Sequence, residues 1–274
     1  MSVSDHDLFM FDLRGYHIFP AVLGSNEISE IKDFLETQRN DPESLPREQR
    51  TLPGGAAAKL IDHPLVMDLL TKVIAKRDKI RLEKCDYFHR TRGQGGWSPH
   101  AGGRTLHPNY AYNFHNGGIY AGMCRVVWEL NEVGMWQGGT AFMPGSHKAN
   151  LPFSEEVDRF PETELERDLG AWRTYACPPG SLVVFSEATR HSTVPWAMDH
   201  PRMAIFSLYN HIQVRHNKPT SFDPPVIEAL SPEHQMFFRD VYWPGFDAPE
   251  RAGICTPSPA SAAATLPAAD EAVR

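Results

Sequence analysis

The chain has 274 residues, of which 41% are hydrophobic and 22% charged, and its formal net charge is -7. This length suits one large domain, and the composition is sufficient for a sizeable core. The negative charge disfavours nucleic-acid polymers and membrane surfaces as partners, because both need a basic face.

Cysteine usage and the first residues bear on the compartment. The four cysteines are widely spaced and form no C-x-x-C pair, which favours reduced thiols over disulfides or a structural zinc site. The start of the chain is polar and acidic, without the basic and apolar regions of a signal peptide. No apolar run is long enough to span a bilayer. We therefore expect a soluble, cytoplasmic protein of unspecified oligomeric state.

Helices are predicted near both ends of the globular region. The first contains Ile28, Ile31, Phe34 and Leu35, with Ser25 or Asn26 as N-cap. The second starts at Pro64, is capped by Asp62 or His63, and carries the apolar stripe Leu65, Val66, Leu69, Leu70, Val73 and Ile74. Ser231-Pro232-Glu233 has the N-cap and first-turn proline of a last helix, which runs through Phe237, Phe238 and Val241.

Short strands dominate the middle of the chain. After a short run over 16–20, they are predicted at 80–88, 123–130, 140–143, 181–185 and 203–209, each bounded by Gly, Pro or Asn. This texture predicts a mainly β fold, a sandwich or barrel with the helices packed outside it.

Three segments lack regular patterning. Residues 91–122, rich in Gly, His and aromatic residues, are interpreted as a long functional loop. The acidic residues 150–178 predict a solvated surface insertion. The Pro/Ser/Ala-rich residues 251–274 predict a disordered tail, which leaves residues 1–250 as the domain.

The candidate chemistry lies in Trp97-Ser98-Pro99-His100-Ala101-Gly102-Gly103 and Phe185-Ser186-Glu187-Ala188-Thr189-Arg190-His191, followed by Arg202. Non-haem Fe(II) oxygenases bind iron through two histidines and one carboxylate, leaving positions open for cosubstrate and oxygen. Here the pattern His-x-Asp/Glu is replaced by His100-x-Gly102. Glycine has no ligating side chain, so one more position is open to an exogenous ligand, and a halide is the obvious candidate.

These segments occur in order with three other motifs: Gly15-Tyr16-His17-Ile18-Phe19-Pro20, the run Gly138-Gly139-Thr140 to Gly145-Ser146-His147-Lys148, and Pro178-Pro179-Gly180-Ser181 to Phe185. Together they resemble the phytanoyl-CoA dioxygenase family over about residues 12–245. The resemblance implies a double-stranded β-helix that binds Fe(II), 2-oxoglutarate and O2. It assigns iron binding to His100 and His191, and the distal carboxylate of 2-oxoglutarate to Arg202, whose guanidinium suits bidentate pairing.

Gly102 departs from this family, because it stands where the metal-binding Asp is expected. In this respect the chain resembles the iron halogenases of the superfamily, in which Ala or Gly leaves room for chloride. Chloride would replace the charge of the missing carboxylate, and the backbone N–H groups of Gly102 and Gly103 are candidate donors to it. This predicts a halogenase that chlorinates an unactivated C–H bond.

Two alternatives stay open: a hydroxylase with another third ligand, such as water, His107 or His115, and a non-catalytic binding protein. His147 is interpreted as part of a structural turn. Basic residues near the loop suggest a free anionic metabolite, specifically a nucleotide, as the small-molecule substrate. The candidate substrate residues are Arg90, Arg92 and Arg104, with Trp97, Phe114, Tyr120 and Trp136 as candidate pocket aromatics.

Overall fold

The structure, a computed structural model, describes residues 2–103, 111–216 and 222–241. Its α-helices are α1 Asp5–Arg14, α2 Ser25–Asn40, α3 Pro64–Val73, α4 Glu155–Asp158, α5 Glu164–Leu169, α6 Pro224–Glu228 and α7 Pro232–Gln235. Short 3-10 helices occupy Pro42–Ser44, Arg47–Gln49, Gly55–Leu60, Arg77–Lys79, Ser146–Lys148 and Met236–Phe238. Within these ranges no helix combines the length and apolar character needed to span a membrane.

The strands are antiparallel and form two facing layers with a separate hairpin. They are β1 Tyr16–Phe19, β2 Ile80–Arg90, β3 Asn113–His115, β4 Gly118–Tyr120, β5 Cys124–Glu129, β6 Thr140–Phe142, β7 Ser181–Ser186, β8 His191–Thr193 and β9 Arg202–His211. The larger sheet has the order β1-β7-β5-β9-β2, while β6 pairs with β8 and β3 with β4. The predicted mainly β fold with flanking helices is confirmed, and the described strands do not close into a barrel.

The early helices cover the outer face of the larger sheet, where the main apolar core lies. Both predicted helices are present, and His63 caps α3 through Nδ1, which accepts from the Leu65 N–H at 3.3 Å. The N-cap predicted for α2 is wrong by one residue: Gly24 occupies it, because the Glu27 carboxylate reaches back to the Gly24 N–H at 3.0 Å. Helix α1 was not predicted.

The predicted strands are confirmed with small changes of length, but the long loop 91–122 contains a hairpin that was missed. Strands β3 and β4 are joined by Asn116 and Gly117, whose φ angles are 51° and 77°. Asn-Gly with two positive φ angles is the preferred two-residue hairpin turn. Residues 104–110 of this loop lie outside the described residues.

The acidic segment 150–178 is not simply a solvated insertion. Helices α4 and α5 are exposed, but Trp172 is buried in a small cluster to which Phe153, Phe160 and Trp97 add their rings. This cluster lies beside the segment that contains His100. The last helix begins as predicted, as α7 with its Ser231 cap, but it is shorter: a 3-10 turn continues it only to Phe238, and Val241 lies beyond it. The predicted tail 251–274 lies outside the described residues.

The inner face of the larger sheet carries several charged side chains. Directly paired residues of antiparallel strands point to the same face, and every second residue of a strand returns to it. On β5 this face carries Arg125, Val127 and Glu129, and Val127 belongs to the apolar cluster shared by the two sheets. Arg202 pairs with Arg90 across β9 and β2.

Candidate active site

His100 and His191 are brought together between two antiparallel segments. The His100 N–H donates to the His191 carbonyl at 3.0 Å, and the His191 N–H donates to the His100 carbonyl at 3.1 Å. Their ring centroids are 4.1 Å apart. Since β8 also pairs with β6, the smaller sheet holds both rings at one edge, on two neighbouring chain segments.

Both imidazoles are oriented by main-chain carbonyls. Nδ1 of His100 lies 2.8 Å from the Ser98 carbonyl, and Nδ1 of His191 lies 2.7 Å from the Thr189 carbonyl. A carbonyl accepts from Nδ1–H, so in the neutral tautomer the free lone pair is on Nε2. This is the usual arrangement of metal-binding histidines. Burial lowers the pKa of His191 to about 4, so this ring is neutral at pH 7.

Gly102 does not leave an open space in the direction of its missing side chain. Its φ is +86°, and a Cβ placed there would lie 2.6 Å from the Arg190 Cβ and 3.0 Å from two ring carbons of Phe153. Gly103 also differs from expectation: its N–H donates to the Ser146 carbonyl at 2.7 Å. That hydrogen is therefore already bonded, which does not support the predicted role of Gly103 as a halide donor.

Arg190 fixes the His100 segment, a role that the sequence reasoning missed. Its Nη1 donates to the Ala101 carbonyl at 2.7 Å, and its Nε donates to Asp158 at 2.7 Å. The guanidinium also stacks on Phe153, 4.7 Å from the ring centroid. Arg190 thus ties the acidic segment to the residue that follows His100.

Glu187 is the second missed residue, and it lies beside His191. Its Oε1 accepts from the Arg125 Nε at 2.7 Å, and its Oε2 is 3.7 Å from the His191 Nε2. Burial raises the pKa of this carboxyl, but the Arg125 guanidinium outweighs it and holds the pKa below its usual value. Among the described residues, no three His, Cys, Asp or Glu side chains form a ready-made metal site. The two imidazoles with an adjacent carboxylate are nevertheless the donor types that non-haem iron takes.

Arg202 lies in the interior and is already paired. Its Nε and Nη2 both donate to the Glu129 carboxylate, and Nη2 is also 3.4 Å from the Tyr175 hydroxyl. The side chains of Arg202 and Glu129 are 2% and 0% exposed. Burial alone would lower the pKa of Arg202, but the Glu129 carboxylate raises it. Arg90 is close enough that burial and Arg202 together lower its pKa.

The remaining candidate substrate residues are scattered. Arg92 pairs with the exposed Asp199, and the Trp97 indole N–H donates to the Asp158 carbonyl at 2.7 Å. Phe114 is 70% exposed and lines an outer groove beside α1, so the structure does not place it with the histidines. Arg104 lies outside the described residues.

The other aromatic and histidine candidates have ordinary surroundings. Tyr120 and His115 belong to the β3–β4 hairpin, where His115 is exposed. Trp136 packs against Phe160, with a centroid distance of 6.5 Å. His147 is buried in a 3-10 turn, and its Nε2 is 2.9 Å from the Asp12 carbonyl. His107 lies outside the described residues.

In a comparison with protein families, the chain matches the phytanoyl-CoA dioxygenase family model over residues 11–204. The chain belongs to this family. Membership makes the protein an oxidoreductase of the iron- and 2-oxoglutarate-dependent oxygenase class. The sequence has no match among curated proteins.

Solved structures with the same fold include three different proteins. HygX from Streptomyces hygroscopicus with nickel and 2-oxoglutarate bound is 20% identical with a TM-score of 0.65, covering 79% of this chain and 90% of its own. EctD from S. alaskensis with 2-oxoglutarate and 5-hydroxyectoine is 18% identical with a TM-score of 0.57, covering 81% of both chains. The epimerase SnoN from nogalamycin biosynthesis, with Fe3+ and alpha ketoglutarate, is 17% identical with a TM-score of 0.56, covering 81% and 92%.

Proposed function

We propose that the protein is an Fe(II)- and 2-oxoglutarate-dependent oxygenase that hydroxylates a C–H bond of a free small molecule. The observation that carries the proposal is the pair His100 and His191, each with Nδ1 turned to a carbonyl and Nε2 left as a lone pair. Two such imidazoles in contact are two of the three protein ligands of a non-haem iron site. When bound, iron with 2-oxoglutarate and O2 supplies the oxidant for an unactivated C–H bond.

The charges at the other end of the inner face suit the distal carboxylate of 2-oxoglutarate. Arg202 and Arg90 are paired across β9 and β2, and Glu129 neutralises one of the two cations. One positive charge is left for one carboxylate. Because the guanidinium of Arg202 is held on two sides by Glu129 and Tyr175, it is fixed before the cosubstrate arrives, which lowers the entropic cost of binding.

Halogenation is a second candidate, favoured by the lack of a carboxylate at Gly102. The surroundings of Gly102 weaken it: Arg190 and Phe153 fill the side-chain direction, and the Gly103 N–H is bonded to Ser146. A halide would therefore have to bind from the side of the histidine rings. Hydroxylation is the first candidate because another carboxylate, Glu187, already lies on that side.

The substrate class is inferred from the molecules that the similar structures hold. Structures of HygX and EctD hold hygromycin B and 5-hydroxyectoine, respectively, which supports a free small molecule here too. The nucleotide hypothesis stays a prediction: of the three arginines behind it, Arg92 pairs with Asp199, Arg90 lies beside Arg202, and Arg104 is outside the described residues.

The test is turnover of a metabolite panel by the full chain with Fe(II), 2-oxoglutarate and O2, followed by mass spectrometry. Nucleotides, aminoglycosides and amino-acid derivatives form the panel, each with and without chloride or bromide. A product heavier by one oxygen, with stoichiometric succinate, supports hydroxylation. A chlorine or bromine isotope pattern would replace it with halogenation. Binding of 2-oxoglutarate without succinate formation under any condition would overturn both and leave a binding protein.

A further inference from the structure

We propose that Glu187 is the third iron ligand, so that the carboxylate comes from the strand end before His191 instead of from the position two residues after His100. The inference rests on the proposed function, since it concerns the same iron site. It gives the chain a complete set of two imidazoles and one carboxylate although Gly102 has no side chain.

The position of Glu187 follows from the turn between the two sheets. Strand β7 of the larger sheet ends at Ser186, and β8 of the smaller sheet begins at His191, so residues 187–190 cross from one layer to the other. The Glu187 N–H is bonded to the Met123 carbonyl at 2.8 Å. This bond fixes the start of the crossing, with the carboxylate buried at the histidines.

The separation of Glu187 and His191 is close to that of two ligands on one metal ion. Ligand atoms at about 2.0 to 2.2 Å from one metal and at right angles to each other are about 3 Å apart. Glu187 Oε2 and His191 Nε2 are 3.7 Å apart, so they need to approach by less than 1 Å. Only Oε1 is held by Arg125, which leaves Oε2 as the ligating atom.

Arg125 then has a defined role. Carboxylates that bind metal ions are usually hydrogen-bonded to a neighbour that sets their orientation. Arg125 is on the inner face of β5, and its Nε donates to Oε1 at 2.7 Å. It holds the Glu187 carboxylate with Oε2 towards His191, which makes Arg125 a positioning residue.

The surroundings of Gly102 favour a carboxylate from Glu187 over an empty ligand position at residue 102. A side chain at residue 102 would meet Arg190 and Phe153, and the Arg190 guanidinium holds the Ala101 carbonyl. Packing around the His100 segment thus occupies the place from which the family's Asp would reach the metal. With Glu187 as ligand, no carboxylate is required there.

The experiment is an anaerobic calorimetric titration of Co(II) into the metal-free full chain, with the visible spectrum of the Co(II) complex recorded in parallel. We expect Glu187→Gln to weaken binding by at least about 100-fold and to change the spectrum, because a ligand is lost. Arg125→Met should weaken binding by about 10-fold, in the range for a hydrogen-bonded neighbour of a ligand. Glu83→Gln, which alters a buried glutamate paired with Arg81 on β2, is the control for loss of a buried carboxylate and should leave Co(II) affinity unchanged.

The outcomes distinguish failure of the Glu187 assignment from failure of the proposed function. If wild type binds Co(II) and Glu187→Gln binds it within threefold with the same spectrum, the ligand assignment is overturned and the proposed function stands. Equal losses for Glu187→Gln and Arg125→Met would mean that the ion pair acts only through structure, which also overturns it. If wild type itself binds no Co(II) or Fe(II), the proposed function fails together with the assignment. Thermal unfolding of each variant identifies losses due to misfolding, and Glu187→Asp, which keeps a carboxylate, should regain part of the affinity.

Discussion

Two arginine–glutamate pairs lie on the inner side of the same sheet. They differ in burial and in how many oxygens of the carboxylate are hydrogen-bonded. In the first, Arg202 donates twice to Glu129 and contacts Tyr175, and both charged side chains are almost fully buried. In the second, Arg125 donates from Nε to Glu187, and Arg125 is 20% exposed. The second carboxylate keeps an oxygen that faces His191.

This difference separates a pair that stabilises the fold from a pair that presents a reactive group. A buried carboxylate with both oxygens bonded is fully compensated, and removal of its partner leaves an uncompensated buried charge. A carboxylate bonded at only one oxygen has a lone pair left for a metal ion. We therefore expect the Arg202–Glu129 pair to affect stability first and the Arg125–Glu187 pair to affect metal binding first.

The largest effect is expected from the two histidines beside the Arg125–Glu187 pair. His191→Ala or His100→Ala should abolish 2-oxoglutarate decarboxylation, because the bidentate cosubstrate cannot replace a missing protein ligand. Succinate formation measures this. His211→Gln, at the far end of β9, is the control and should remain active. Full activity of either alanine variant would remove that histidine from the iron site.

Arg202→Met should lower the free energy of unfolding by about 3 to 5 kcal/mol, because it leaves Glu129 buried and unpaired. Arg125→Met should cost less, about 1 to 3 kcal/mol, because Arg125 is 20% exposed and water can replace part of its interaction with Glu187. Urea denaturation measures both. The double variant Arg202→Met/Glu129→Leu removes both charges and should recover most of the loss. Equal destabilisation by the two single variants would contradict the division between the pairs.

Gly102→Asp should destabilise the protein by about 2 to 6 kcal/mol. Positive φ at a non-glycine residue and a forced contact each cost about 1 to 3 kcal/mol, and the Arg190 Cβ lies 2.6 Å from the new Cβ. Gly102→Ala is the matched control and should cost nearly as much. If Gly102→Asp instead rescued Co(II) binding in a Glu187→Gln background, the side chain would reach the metal as in other family members.

Gly102 also illustrates how far the sequence reasoning reached. The strands and three helices follow from local patterns, and His100 and His191 were singled out through the family resemblance. The consequence of Gly102 did not, because it depends on Arg190 and Phe153, which only the folded chain brings to that place. Glu187 was in the printed motif, four residues before His191, yet nothing in one sequence distinguishes an inward carboxylate from a solvated one.

A smaller effect is expected on 2-oxoglutarate affinity at the end of the inner face that carries Arg90 and Arg202. Arg90→Gln should weaken 2-oxoglutarate binding by about 1.5 to 3 kcal/mol, the range for a hydrogen bond to a charged group, without the large loss of stability expected for Arg202→Met. Titration of 2-oxoglutarate into the Co(II)-loaded protein measures the affinity. Arg92→Gln, which affects only an exposed pair with Asp199, is the control. Unchanged affinity in Arg90→Gln would mean that Arg202 alone carries the carboxylate.

The smallest effect concerns pH and compares His191 with a buried histidine that is not at the iron site. Burial lowers the pKa of His147 to about 4, whereas an unfolded chain protonates histidine near pH 6.5. Above pH 6.5 both states are neutral and stability is complete. As the pH falls from 6.5 towards 4, only the unfolded state gains the proton, so stability is lost. Between pH 7.5 and 5.5 we expect His147 to account for about 1 kcal/mol of this loss.

Urea midpoints of wild type and His147→Gln at both pH values measure the contribution of His147. The variant should lose less stability on acidification than wild type. Co(II) should reduce the remaining acid loss, because a metal ion on His191 competes with protons, and it should do so equally in wild type and His147→Gln. The same acid loss in the variant as in wild type would show that His147 is not neutral in the folded protein. A Co(II) effect that vanished in His147→Gln would place this histidine, and not only His191, in contact with the metal site.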